Sequence, residues 1–274
     1  MNRSRPVDFD MSTRYTKNSL KIDSPEMKAI CEAARKNKIA VCLGLSENHL
    51  NSLYISQATI LSTGEIAVVR RKLKPTHMER TVFGDSTGGG TLSNVAEVPG
   101  VGKVSALACW EHIQPLLKYN TVLQGPEIHV AAWPPVGPHP EGSPAFWSMS
   151  REGCRGLSRT FAIEAGAFVL HTTAVITDQG LEKMIIPKGP GVFGLPGGGS
   201  SAIFGPDGRQ LSKDIPETEE GILYAELDFD DILRSKSFVD ICGHYSRPDL
   251  LWLGSDQKQK LCVRARKVAS EEEE

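Results

Sequence analysis

Val104-Ser105-Ala106-Leu107-Ala108-Cys109-Trp110-Glu111-His112 is the stretch from which the fold is read. The short apolar run from Val104 to Ala108 has the pattern of a buried strand and delivers a cysteine at its end. The chain then turns polar at once, and Gln114-Pro115-Leu116-Leu117 starts a helix. A thiol at a strand-to-helix junction lies near helix-end N–H groups, which favour thiolate over thiol. That placement is a common way to make a nucleophile. The same residue also fits a small buried apolar side chain, which is what most free cysteines are.

Working outward, the chain alternates helices with strands. Ser24-Pro25-Glu26-Met27 offers an N-cap serine and a proline at the first helical position, and Met27, Ile30, Cys31 and Ala34 recur at helical spacing up to Lys38. Residues 1–17 show no clear period. Ile39 to Leu45 reads as a strand buried on both faces, and Tyr54–Leu61 with Ile66–Arg71 as a hairpin. Beyond Cys109, Ile128 to Trp133 is a strand, Glu152 to Ala167 a helix and Phe168 to Thr173 another strand. A strand is expected within Gly197 to Phe204, a last alternating one over Gly221 to Leu227, and a short helix over Asp230 to Ser235. Such alternation argues for layered α and β packing. The glycine-rich Phe83 to Gly90 lacks the Gly-Lys-Ser/Thr ending of a phosphate cradle and reads as a surface or active-site loop.

Composition bounds the partners. The chain has 274 residues, 40% hydrophobic and 23% charged, with a net charge of −2, as in an ordinary globular protein. Near-neutral charge gives no reason to expect nucleic acid or an anionic membrane, and no apolar run reaches spanning length. Six widely spaced cysteines (31, 42, 109, 154, 242 and 262) form no C-x-x-C pair, so the reading is a reduced, cytoplasmic protein. No His/Cys spacing suggests a metal site, and no cofactor is expected. The expected organisation is one domain over residues 1–254, followed by a charged, disordered tail over 255–274 that ends in four glutamates.

Three motifs stand in order: Arg70-Arg71-Lys72-Leu73-Lys74-Pro75-Thr76-His77-Met78-Glu79, then Cys109-Trp110-Glu111-His112, then Val130-Ala131-Ala132-Trp133-Pro134. Together they closely resemble the nitrilase branch of the carbon–nitrogen hydrolase superfamily, over about residues 18–253. Cys-Trp-Glu-His is more similar to the aryl- and aliphatic-nitrilase side than to the cyanide hydratases, which carry Cys-Trp-Glu-Asn. The resemblance implies a four-layer α-β-β-α sandwich, hydrolysis of a small-molecule nitrile to a carboxylic acid and ammonia, and assembly into homo-oligomers.

It also implies roles. Cys109 is the expected nucleophile, adding to the C≡N carbon to give a thioimidate. Lys72 is the expected donor to the anion growing on nitrogen. Read alone, three cations in a row are more often surface charge than catalysis. Glu79 matches the accessory carboxylate, although a lone Glu beside an Arg is usually a weak surface pair. Trp110, His112 and Trp133 are expected around the substrate: two indoles as walls, and an imidazole beside the thiol, with plain core packing as the other reading of the indoles and mere support behind the site as the other reading of Glu111 and His112.

The sequence departs from the pattern at its start. Nitrilases carry a first catalytic glutamate in a segment like Phe-Pro-Glu, and none stands here; the N-terminal strand-helix-strand is also missing. Three readings follow: a truncated product or mispredicted start, a short paralogue acting as a binding or assembly protein, or Glu79 serving as the base. Glu47, at the end of its strand, is a further carboxylate for that role.

Overall fold

A computed structural model describes residues 8–86, 88–185 and 194–258. The chain enters as helix α1, Phe9–Asn18, where no period was expected. Asp8 caps it by accepting from the Met11 N–H, and none of its residues is buried, so no apolar stripe announces it in the sequence. Helix α2, Pro25–Asn37, begins as Ser24 and Pro25 require and ends at Lys38, whose left-handed backbone (φ 54°) accompanies the C-cap.

Strands β1 (Val41–His49), β2 (Ser52–Ile60) and β3 (Ile66–Arg71) form an antiparallel sheet in that order. Leu50 and Asn51, both at positive φ, make the two-residue turn between β1 and β2. The expected hairpin is β2–β3. Strand β1 is not buried on both faces as its apolar run suggested. It packs on both sides, Leu43 and Leu45 toward α2 and Cys42 toward the second sheet, but it lies at the sheet edge and stays half-exposed.

The second sheet has the order β4 (Val95–Val98), β5 (Gly102–Ala108), β6 (Ile128–Trp133), β7 (Phe168–Thr173) and β8 (Ala202–Phe204). Its central strands β5, β6 and β7 run parallel, and the outer two antiparallel to them. Helices α3 (Pro115–Leu123) and α4 (Arg151–Ala165) make the crossovers. The short α5 (Asp178–Lys183) and α6 (Asp230–Phe238) complete the α-helices among the described residues.

Three apolar layers separate these elements. Met27, Ala34, Ala58 and Ile60 fill the space between α2 and the first sheet. Val104, Ala106, Val130 and Phe168 meet Cys42 and Val68 between the sheets. Leu107, Ala131, Val169, Phe161 and Ala162 pack the second sheet on α4. The fold is therefore the expected α-β-β-α sandwich.

Two further expectations are corrected. Gly221–Leu227 is extended, with side chains alternating between exposed and half-buried, but it joins no ladder among the described residues, since periodicity reports sidedness and not a partner. The strand within Gly197–Phe204 is confined to its last three residues. The tail expected from residue 255 lies outside the described residues from 259 onward, as does Cys262.

Candidate active site

Parallel strands gather their carboxyl ends at one edge, where α/β sheets commonly bind ligands. There β5 ends at Ala108 and β6 at Trp133. Cys109 follows β5 directly with φ 54°, a conformation a β-carbon disfavours, and the chain turns through a short 3₁₀ helix, Cys109–Ile113, before α3 begins at Pro115. A non-glycine residue held there marks a strained backbone at a tight strand-to-helix turn.

Glu111 fixes that turn. Its carboxylate accepts from the Ala108 N–H (2.8 Å), the Leu73 N–H (3.0 Å) and both terminal nitrogens of Arg70 (2.7 Å each). Arg70 also donates to Gln57, whose amide reaches the Leu107 carbonyl. One buried carboxylate thus ties the end of β3 to the end of β5. Burial pushes the Glu111 carboxyl up, but the Arg70 contacts and the two backbone donors hold it below its ordinary value. Arg70, read as surface charge, is 2% exposed. Its role was missed because the partner lies 41 residues away.

Just past β3, Lys72 is buried and Lys74 exposed. The Lys72 Nζ donates to Glu79 Oε2 (2.6 Å) and to Thr76 Oγ1 (3.2 Å), and the same Glu79 oxygen accepts the Thr76 N–H at 2.6 Å. Lys72, Glu79 and Cys109 are brought together electrostatically. Burial raises the Cys109 thiol to about 11; the Lys72 charge pulls it down, while Glu79 and Glu111 push it up. The thiolate expected from a strand-end position is therefore not the resting form: Cys109 is only 8% exposed, and desolvation outweighs the nearby cation.

Trp110 and Glu111 form part of the wall of a cavity of about 650 Å³, with Leu73, Thr76, Leu92, Leu116, Leu117 and Leu253. Cys109, Lys72 and Glu79 are not among its lining residues, although their chain neighbours Trp110, Leu73 and Arg80 are. Trp133 and His112 are not on it either. The indole of Trp133 donates to Ser158 and stacks on His112, at 6% exposure. His112 is wholly buried with both ring nitrogens engaged, one by the Cys109 carbonyl and one by His129. Burial holds it at about 4, so it is neutral and does not act on the thiol as an imidazolium. Glu47 is committed elsewhere, to Arg71 and Ser56.

A strand-end cysteine at positive φ, a buried lysine paired to a glutamate and an α-β-β-α frame define a class, and the family description "Carbon-nitrogen hydrolase" matches residues 7–236. The chain belongs to that family. It is 59% identical over 273 residues to an arylacetonitrilase of Aspergillus kawachii, covering 99% of this chain and 82% of that protein. It is likewise 59% identical over 261 residues to an arylacetonitrilase of Aspergillus niger, covering 95% and 78%. Its fold matches Saccharomyces cerevisiae Nit3, a member of branch 10 of the nitrilase superfamily, with a TM-score of 0.62 at 17% identity, over 88% of this chain and 79% of that one.

Proposed function

We propose that this protein is a nitrilase acting on arylacetonitriles, with Cys109 as nucleophile, Lys72 as donor to the developing nitrogen anion and Glu79 as the proton carrier. The observation that carries the reading is a buried Lys72, paired to the half-buried Glu79, acting on a cysteine held in a strained turn. The high identity to arylacetonitrilases supports the substrate class. An apolar cavity bounded by Trp110 and several leucines supports an aryl group next to the nitrile.

The steps follow from the charges. As the sulfur bonds to the nitrile carbon, one C≡N π bond breaks, the thiol proton leaves through Glu79 and nitrogen gains it, giving a thioimidate on Cys109. An ammonium has three donors. Two of those on Lys72 go to Glu79 and Thr76, which leaves one for the nitrogen. Water loses a proton to Glu79 and adds to the thioimidate carbon as the C=N π bond breaks; that proton and then the new hydroxyl's proton pass to nitrogen, the C–N bond breaks and ammonia leaves, giving a thioester. A second water releases the carboxylic acid and restores the thiol. General-base help of this kind is worth about 10²–10⁴-fold.

The free cysteines Cys31, Cys42, Cys109, Cys154 and Cys242 favour a reducing, cytoplasmic setting. Exposed Leu233, Phe238, Leu251 and Trp252 favour homo-oligomers. A chain that binds nitriles without turnover is the second reading, favoured by a thiol held as high as about 11. One assay separates them: ammonia release from phenylacetonitrile by the wild type, Cys109→Ala and Glu79→Gln. The nitrilase reading expects release by the wild type, none by Cys109→Ala and a loss of about 10²-fold or more in Glu79→Gln. No release by the wild type from any arylacetonitrile would leave the binding reading.

A further inference from the structure

Behind the nucleophile, Ser105, His129 and His112 form one line of hydrogen bonds that the reaction steps above do not use. Ser105 Oγ lies 2.7 Å from His129 Nδ1, His129 Nε2 lies 3.0 Å from His112 Nε2, and His112 Nδ1 lies 2.8 Å from the Cys109 carbonyl oxygen. All three side chains are fully buried. Chemistry sets the direction of the line. A carbonyl only accepts, so His112 carries a proton on Nδ1. Burial keeps both imidazoles neutral, His112 at about 4 and His129 well below its ordinary value. Neutral His112 then offers a lone pair at Nε2, so His129 must donate from Nε2 and accept from the Ser105 hydroxyl at Nδ1. One placement of protons satisfies every atom.

The line ends on the backbone that matters most. Cys109 has φ 54°, and its turn is held from one side by Glu111 on the Ala108 N–H. His112 holds the other side. The rings themselves are fixed by stacking, His129 on Phe161 with centroids 3.8 Å apart and His112 on Trp133 at 5.2 Å. A sheet strand, β5, thereby supplies the nucleophile at its end and, four residues earlier, the hydroxyl that starts the line bracing it.

We infer that Ser105 and His129 are positioning residues for the reaction of Cys109: through His112 they fix the carbonyl, and with it the backbone conformation, that aims the thiol. The reaction named in this inference rests on the nitrilase reading; the proton placement does not. Displacing a reacting group by about 1 Å costs about 10²-fold in rate.

Three variants test it. His129→Leu fills the site without a donor, His129→Gln puts an amide N–H where Nε2–H stood, and Ser105→Ala removes the hydroxyl that donates to His129 Nδ1. With native circular dichroism retained, His129→Leu should lose about 10²-fold in kcat on phenylacetonitrile, with KM changed by less than about threefold, and His129→Gln should recover about tenfold of that. In the wild type, ¹⁵N-histidine spectra should show His112 as the Nδ1–H and His129 as the Nε2–H tautomer. Ser105→Ala should keep that His129 tautomer, which His112 sets, and should lower kcat with KM little changed, because the ring loses its hydroxyl anchor. If His129→Leu does not fold, the tautomers and Ser105→Ala decide. If the wild type turns over no nitrile, the nitrilase reading falls, and the alkylation rate of Cys109 by iodoacetamide replaces kcat: slower in His129→Leu, restored in His129→Gln. A wild-type His112 in the Nε2–H form, or a folded His129→Leu with unchanged kcat and alkylation, overturns the inference.

Discussion

Replacing Arg70 with leucine would remove the guanidinium that holds Glu111, and with it the join between β3 and β5. The carboxylate is 3% exposed and receives two bonds of 2.7 Å from Arg70, against one each from the Ala108 and Leu73 N–H groups. Stripping one partner from a buried ion pair leaves an uncompensated charge and costs about 3–5 kcal/mol. For a chain of this size that is roughly 6–20 °C in Tm.

The pH dependence carries a sign. In the native protein the Glu111 carboxyl is held below its ordinary value, so its contribution is present above the unfolded pKa and lost as pH falls through the folded one. In Arg70→Leu only two backbone donors oppose burial, and the folded carboxyl rises above its unfolded value. The variant is then penalised at high pH and relieved by protonation as pH falls. Urea unfolding should show the gap from wild type widest near about pH 8 and narrowing toward about pH 4.5. Arg70→Leu combined with Glu111→Gln should recover part of the loss, because the amide oxygen still accepts. A gap under about 1 kcal/mol, or one that does not change with pH, would refute this reasoning.

Lys72→Met should lower kcat/KM by about 10²–10³-fold, as loss of one anion donor does, and should raise the Cys109 thiol further, since the Lys72 charge is the larger of the two influences that lower it; ammonia release and alkylation against pH measure both. Burial holds His112 at about 4 and His171 at about 3, against 6.5 unfolded, so the unfolded chain binds more protons in that window. Stability should accordingly be full above about pH 6.5 and fall steadily toward pH 4, and a flat Tm profile there would contradict the neutral buried imidazoles. Gly153→Ala would put a β-carbon 2.6 Å from the Trp147 carbonyl oxygen and the Ser148 Cα, both backbone, and should destabilise by about 1–3 kcal/mol in the same unfolding assay. Trp110→Ala should raise KM for arylacetonitriles more than for aliphatic nitriles, because Trp110 walls the cavity.

What the sequence disclosed follows the range of the forces involved. Ser24 and Pro25 announce α2 because capping is local chemistry within one turn. The strand into Cys109 and the parallel strands after it are legible because buried strands are continuous apolar runs. Helix α1 was invisible because it buries nothing, and periodicity is a record of burial. Gly221–Leu227 alternates correctly but joins no ladder among the described residues, because pairing is decided by whatever lies alongside.

The site divides in the same way. Cys109, Lys72 and Glu79 stand out by motif. The Arg70–Glu111 join and the Ser105–His129–His112 line depend on contacts 17 to 41 residues apart. No local pattern marks an arginine as buried. His112 and Trp133 were placed around the substrate by their motifs and side-chain chemistry, yet both side chains pack into the core against α4. The balance at the thiol was misjudged for a related reason: helix-end donors are visible in sequence, and desolvation is not.

The most direct test of the central claim is to trap the bond to Cys109. Incubation with phenylacetonitrile, an acid quench and intact-mass spectrometry would be followed by peptide mapping, with ammonia measured in parallel. The account predicts an added mass of one nitrile, or of the matching acyl group, on the peptide containing Cys109, together with ammonia, and neither in Cys109→Ala. An adduct mapped to another residue, or ammonia released by Cys109→Ala at the wild-type rate, would contradict it.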